Sequence, residues 1–290
     1  MSGTATNRTN IGLPSVLSAE ILQKTQEASA IMQLARKIDL PGAGAEIPVI
    51  TSDPTAAWVS ETSAKPVSNP GLSKKIMSAY KLAVIVPFSN EFRRDANALY
   101  NALVGRLPNA LAAKFDATVI GGTAPGSNFD VLTGCQTQEI GTSTFAGYAA
   151  AMGDIADNGG DMNGIILSPQ AKAATLAATD LQGRPLFIAD PSQGNVGVIL
   201  GAKTLAEKAA HVAGVADGVA GDWTQAVWGT VEGVKIDISE EATLDLGSGS
   251  YINLFQQNMF AVRAEIEVGF RADTNCFNLL TVADESESAS

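Results

Sequence analysis

Two strand-forming runs, separated by a long stretch with nothing in it to build a core, limit the folds open to this chain more than any other feature. Glu46–Ile50 reads as one strand. Tyr80-Lys81-Leu82-Ala83-Val84-Ile85-Val86-Pro87-Phe88 reads as a second, with Tyr80, Leu82, Val84, Val86 and Phe88 on one face. Between them, Thr51–Ser78 is mostly polar. It holds Pro54, Pro66, Pro70, Gly71 and the lysines Lys65, Lys74 and Lys75, and Trp58 is its only aromatic residue. Paired with each other, the two runs make a long hairpin arm with little apolar surface of its own. An isolated two-stranded hairpin is marginal in water, and a long structureless loop is uncommon in a compact domain unless it is functional or docked. The expectation is an arm that finds its cover on a partner.

The segment ahead of it has the same shortage. From Pro14 to Ile38 the apolar residues Val16, Ile21, Leu22, Ala28, Ile31, Met32, Ala35 and Ile38 recur at mostly helical spacing. Ser15 or Ser18 suits the start and Leu40-Pro41-Gly42-Ala43-Gly44 the stop. This helix is too thinly apolar to form a core and must lie on something else, while the polar residues 1–13 are expected to be disordered. A helical region then runs from Ser89-Asn90-Glu91 to Ile120, with Ala96, Tyr100, Leu103, Leu107, Leu111, Phe115 and Thr118 on one stripe. Pro108 should kink or divide it, since an interior proline costs ~3 kcal/mol. Gly121-Gly122-Thr123-Ala124-Pro125-Gly126 ends it.

Residues 130–232 alternate helix and strand. A helix is expected near 144–157, a buried strand at Gly164–Leu167, and a helix from Pro169 to Thr179, where a proline at the first helical position is well placed. Strands follow near 196–200 and 224–231. The chain then turns to period-two runs: Val234, Ile236 and Ile238 alternate with polar residues, and so do Phe260, Val262, Ala264, Ile266, Val268 and Phe270. A flexible turn, Asp245–Ser250, lies between them, and Asp284–Ser290 reads as a frayed acidic end. No internal repeat is present. The fold class is α+β, and 290 residues suit about two domains.

Little in the chain suggests chemistry. His211 is the only histidine, so a triad or a histidine-based metal site would depend on it alone; flanked by Ala209, Ala210, Val212 and Ala213, it reads as structural. The glycine pairs lack the Gly-Lys-Ser/Thr of a phosphate loop. Asp154, Asp157 and Asp161 read as a solvated helix end, and Glu265 and Glu267 with Arg263 as an ion-paired strand face. Cys135 and Cys276 are too isolated for a zinc site and read as small buried residues. No catalytic, cofactor-binding or metal-binding residue is assigned. Net charge is −11, which argues against a protein that coats DNA through phosphate contacts. Residues 1–145 hold 12 basic against 11 acidic side chains, and residues 146–290 hold 7 against 19, so +1 faces −12. Opposite halves of neighbouring copies can attract one another on that basis. No apolar run reaches the ~18 residues of a membrane span, and the first residues do not read as a secretory signal.

The order of the pieces supplies an identity. A helical arm leads to a hairpin holding Ala57-Trp58-Val59-Ser60-Glu61, then to a strand ending Val86-Pro87-Phe88-Ser89-Asn90-Glu91, a long helix and a glycine break. Downstream come Leu167-Ser168-Pro169, Asp180-Leu181-Gln182-Gly183-Arg184-Pro185-Leu186, Gly221-Asp222-Trp223-Thr224-Gln225-Ala226 and Asn258-Met259-Phe260-Ala261-Val262-Arg263-Ala264-Glu265. This series resembles the major capsid family of tailed bacteriophages, the Hong Kong-type capsid fold shared with encapsulins, across residues 14–282. An encapsulin-like nanocompartment shell is the alternative, and a soluble α/β enzyme a distant one.

The resemblance implies an N-terminal arm at 1–44, an extended loop with its flanking strands at 45–88, and a peripheral domain with a long spine helix at 89–125, completed by return strands at 233–270. It implies an axial domain at 126–232 and a final axial strand and acidic tail at 271–290. The function implied is a major capsid protein that self-assembles as pentamers and hexamers into an icosahedral shell, put together in the host bacterial cytoplasm. Trp58, Glu61, Lys65, Lys74 and Lys75 would make contacts between subunits. A portal protein and packaged double-stranded DNA, held without specific binding, would be partners; no membrane or cofactor would be involved. Many members carry a cleaved scaffold segment ahead of the arm, and this sequence starts close to the arm, which implies a separate scaffolding protein or a mature form. Some members weld their shells by an isopeptide bond between a loop lysine and an asparagine beside a glutamate, and Asn258 and Glu265 have the spacing seen in those members. The reading adopted for these two is the plainer one: a strand-edge amide, and a partner for Arg263.

Overall fold

In the computed structural model the described residues are 15–42, 44–52, 56–60, 64–65, 67, 71–91, 96–180, 182–187, 197–247 and 249–282. The N-terminal part runs α1 (Ser15–Ala28), α2 (Ala30–Leu34), β1 (Arg36–Asp39), β2 (Ala45–Ser52), β3 (Gly71–Met77), β4 (Tyr80–Ser89) and α3 (Ala96–Gly121). The middle runs β5 (Gln136–Glu139), α4 (Thr144–Asp157), β6 (Gly164–Leu167), α5 (Pro169–Ala177), β7 (Val198–Ile199), β8 (Ala202–Ala206), β9 (Gly218–Gly221) and β10 (Ala226–Thr230). The chain closes with β11 (Lys235–Ser239), β12 (Thr243–Asp245), β13 (Tyr251–Asn253), β14 (Met259–Ala272) and β15 (Phe277–Thr281).

β14 organises the first sheet. Its alternating apolar residues Phe260, Val262, Ala264, Ile266, Val268 and Phe270 are all buried. β4 pairs along one edge of it, while β11 and β10 pair end to end along the other, with β1 parallel to β10. Across the sheet's buried face lies α3, whose Leu107, Leu111 and Phe115 reach into the core. The second sheet has the order β5-β15-β9-β6-β8-β7. Between the two sheets lies one apolar cluster containing Phe115, Phe129, Ile166, Val219, Trp223, Trp228, Phe270 and Phe277, so the two halves share a core.

The Gly221-Asp222-Trp223 motif is a knot in that core. The Asp222 carboxylate accepts from the Thr224 amide and hydroxyl and from Asn163 Nδ2 at 2.6–3.0 Å, and from the Asp161 amide at 3.2 Å. The Trp223 indole donates to the Gly164 carbonyl at 3.0 Å, and a Cβ on Gly164 would sit 2.5 Å from the indole ring. Only glycine admits that approach. Further on, Pro169 opens α5 as expected, with the Ser168 hydroxyl accepting from the Ala171 amide.

Two expectations are corrected, and of the two outcomes expected at Pro108 one is excluded. The helix expected over Pro14–Ile38 breaks at Ser29, whose hydroxyl caps α2, and ends at Leu34; Ile38 lies in β1. Ile31, Ala35 and Ile38 are spaced for a helix, but parallel pairing with β10 satisfies the backbone of Arg36–Asp39 instead. Tyr80–Phe88 does not pair with Glu46–Ile50. Its apolar face joins β14, the largest apolar strand, and Leu82, Val84, Val86 and Phe88 pack into that core, while β2 pairs with β3. Pro108 does not divide α3, which is helical throughout. Burial of Leu107, Leu111, Ala112, Phe115, Val119 and Ile120, at roughly 1.5–3 kcal/mol for each large side chain, outweighs the ~3 kcal/mol cost of one proline.

Candidate assembly interface

The β2–β3 hairpin is the part of the molecule that cannot be explained by its own core. Its root is firm. Met77 at the end of β3 is fully buried with Leu40 and Val227, and Ile38, Ala45 and Ile47 pack around them. Arg271, at the end of β14, is the main fastener. Its guanidinium donates to the Ile76 carbonyl at 2.6 and 2.8 Å, to Asp130 at 2.6 Å and to Asn128 Oδ1 at 3.2 Å. Asp130 also accepts from the Ala272 amide at 3.2 Å. One arginine thus ties the hairpin, the β14 end and the 127–130 loop together, which its planar fork of donors suits it to do.

Beyond the root, the apolar side chains among the described residues have no cover. Trp58 is fully exposed, and Val59 and Val67 are exposed. Lys65 is exposed as well. Glu61 lies outside the described residues. Lys74 is held within the hairpin by a 2.6 Å ion pair with Glu46. Lys75 turns back to the body, donating to the Ala272 carbonyl at 3.0 Å and lying 3.6 Å from Asp130. Of the residues expected to touch neighbours, Trp58 and Lys65 are presented outward, and the two lysines of β3 brace the hairpin.

The structure does not bring Asn258 and Glu265 together within one chain. Asn258, with a positive φ of 53°, precedes β14 and accepts a 2.9 Å bond from the Asn90 side chain. Seven residues of strand span about 23 Å and end on the opposite face. Glu265 accepts from Lys81 at 2.9 Å and lies 3.9 Å from Arg263, which reaches Asp237 at 2.6 Å. The Lys81 ammonium holds the Glu265 carboxyl below the usual carboxylate range. An ion-paired face, as expected, occupies these residues.

The arm, thought to need cover elsewhere, finds it on its own chain. Ile21 of α1 is buried with Leu107 and Leu111 of α3. At the α1–α2 break, the buried Asp116 of α3 accepts from the Ser29 hydroxyl at 2.6 Å and the Ala30 amide at 2.9 Å. Burial nevertheless pushes this carboxyl up to about 7 against those donors, helped by the charge of Glu207. Sequence reasoning missed both Asp116 and the Arg271–Asp130 tie. An aspartate inside an apolar helical stripe was a usable signal for the first; partners 141 positions apart left none for the second.

His211 is partnered by Asp217 at 2.7 Å, and the other oxygen of Asp217 accepts from the Val282 amide, a structural arrangement. Both cysteines are free, and burial pushes the Cys135 thiol up to about 12. Among the described residues no group of three histidine, cysteine or acidic side chains is placed to hold a metal, and no helix is long and apolar enough to cross a membrane.

A body that roots a coreless projection firmly and leaves its apolar tip bare is the construction of a subunit in a repeating assembly. Residues 10–280 match the sequence profile of the Phage capsid family. The chain is 30% identical to the "Probable major capsid protein gp17" of Mycobacterium phage L5 over 289 residues, 91% of this chain and 87% of that one. A solved structure from Gordonia phage Cozz superposes with a TM-score of 0.68 at 22% identity, covering 89% of this chain and 87% of its own. The capsid of an empty GTA particle, computed with C5 symmetry, does so at 0.64 and 14% identity, covering 98% and 96%. The chain belongs to the Phage capsid family, and it is a structural component of a phage capsid.

Proposed function

We propose that this chain is the major capsid protein of a tailed phage. It self-assembles as pentamers and hexamers into a closed icosahedral shell around double-stranded DNA. The exposed tip of the β2–β3 hairpin, on a root held by Arg271 and Met77, is the observation that carries the proposal: Trp58 is fully exposed in the isolated chain and is covered by a neighbouring copy in the lattice. The relatives it matches, that of Mycobacterium phage L5 among them, are phage proteins, which favours this reading over an encapsulin-like compartment. The role is structural, not enzymatic, and the shell is held without an isopeptide bond, since Glu265 is committed to Lys81 and stands far from Asn258. A separate scaffolding protein and a portal protein assist assembly in the host cytoplasm. At a net charge of −11, the wall confines DNA by strength and not by adhesion.

Replacing residues 53–70 by a short Gly-Ser turn tests the proposal. β2 and β3 remain to pair, so the subunit should fold with its melting behaviour nearly unchanged, while electron microscopy should show no closed shells. Normal shells from that variant would remove the hairpin tip from the assembly contacts.

A further inference from the structure

The second sheet carries two separate bare apolar patches, one near each end. Helix α4 lies over the β5–β15 end, tied there by Gln138 to Asp154 at 2.5 Å and by Asn278 to the Ala151 carbonyl at 3.3 Å. Its inward residues Tyr148, Ala151 and Ile155 are fully buried. Its outward face is Phe145, Ala146, Ala149, Ala150, Met152 and Ala156, an unusual surface for a helix facing water. Phe145 is 51% and Met152 45% exposed. Its two charges, the half-buried Asp154 and the exposed Asp157, both lie in its last turn.

The β7–β8 hairpin at the opposite end of the sheet is the second patch. Val198 is 63% exposed and Leu200 36%. Leu200 and Gly201 form the two-residue turn, with φ of 48° and 88°. Asparagine or glycine is favoured at such a left-handed position, and leucine holds its large side chain outward there against that preference. Lys203 stands exposed on β8 directly across from Val198.

We propose that the β7–β8 hairpin of one copy seats on the α4 face of the next copy, Val198 and Leu200 against Phe145, Ala149 and Met152, with Lys203 beside Asp157. This proposal rests on the capsid reading and assigns the contact that closes its rings. Charge complementarity selects the occupant: Lys203 meets Asp157 and the negative end of the α4 dipole. Two different patches at opposite ends of one sheet make a head-to-tail contact, which generates rings where the rotation closes, and not two-fold pairs. The size of the contact agrees. Phe145–Ala156 spans about 17 Å and presents a face about 10 Å wide, under ~200 Å², against the ~800 Å² per partner of a standard stable interface. One such contact does not hold a free dimer; a ring in which every copy uses both patches holds itself.

The test is a cysteine pair, Ala149→Cys with Leu200→Cys, in assembled shells treated with a short bis-maleimide and run on a denaturing gel. A ladder ending at five and six subunits is expected, with neither single variant nor the unsubstituted protein giving one. Intact shells that run as monomers overturn the proposal and leave the capsid reading standing, as does an A149C-only dimer, which would mean that α4 packs on α4. Absence of shells from the unsubstituted protein overturns the capsid reading itself. If the cysteine pair does not assemble, Asp157→Lys and Lys203→Glu decide the matter. Each alone should reduce shell yield at least tenfold and the two together restore it; no restoration overturns the pairing.

Discussion

At the scale of single residues, Asp116 is the most exposed to a quantitative check. Its carboxyl is buried where the arm meets α3, and its pKa stands at about 7 against 3.8 for an unperturbed aspartate. Between those two values the folded state keeps a proton that the unfolded state has lost, so this group destabilises the fold progressively as pH rises through that window. The full effect above pH 7 is on the order of 4 kcal/mol, three pH units at about 1.4 kcal/mol each. Asp116→Asn keeps the shape and removes the titration. The unsubstituted subunit should therefore gain thermal stability relative to the Asn variant as pH falls from 7 to 5. Glu265, Asp180 and Glu139, whose carboxyls are held low, do not interfere there, because their contributions are lost only below the ordinary carboxylate range. Parallel melting curves for the two proteins between pH 5 and 7 would show that Asp116 is not proton-linked to folding.

At the scale of elements, the contrast between β14 and β3 shows what the sequence made legible. β14 alternates apolar and polar residues over most of its length, and its bounds were readable to within a residue or two. So were the buried run of β6 and the proline-opened start of α5. β3 carries Lys74 and Lys75 on an exposed ribbon and has no apolar period, so only its pairing with β2 defines it. β15 is buried on both faces, and its Phe277, Leu279 and Leu280 show no alternation to mark a strand. The partner of β4 was misassigned because pairing follows the largest available apolar face and not proximity in sequence. The hairpin root gives a prediction at this scale. Arg271→Ala strips Asp130 of its main partner and frees the Ile76 carbonyl. It should cost roughly 3 kcal/mol, the range for breaking a largely buried pair, and loosen amide exchange protection in β3 before the rest of the sheet. Unchanged exchange in β3 would mean that Met77 and its neighbours hold the root alone.

At the scale of the whole molecule, both large sheets share one core, and α1 and α2 dock on α3 of the same chain. Among the apolar surfaces left uncovered in the described residues are the hairpin tip, the α4 face and the β7–β8 turn. These lie on different elements, so one copy has room for several neighbours at once, as a closed lattice demands. The hairpin tip was legible in the sequence as a region without a core; the other two were not, since an apolar helix reads the same whether its second face meets the core or another molecule. On the proposal of a wall held without an isopeptide bond, mature particles boiled in denaturant should run as one band near 30 kDa. A ladder of multimers that disappears when Lys65, Lys74 and Lys75 are changed to Arg would show a covalent wall instead. The most direct measurement is negative-stain electron microscopy of the purified chain, with its mass in solution followed as concentration rises. The account predicts rings of five and six and closed shells of megadalton size. A monodisperse species of about 30 kDa that persists at high concentration and forms no particles would contradict it.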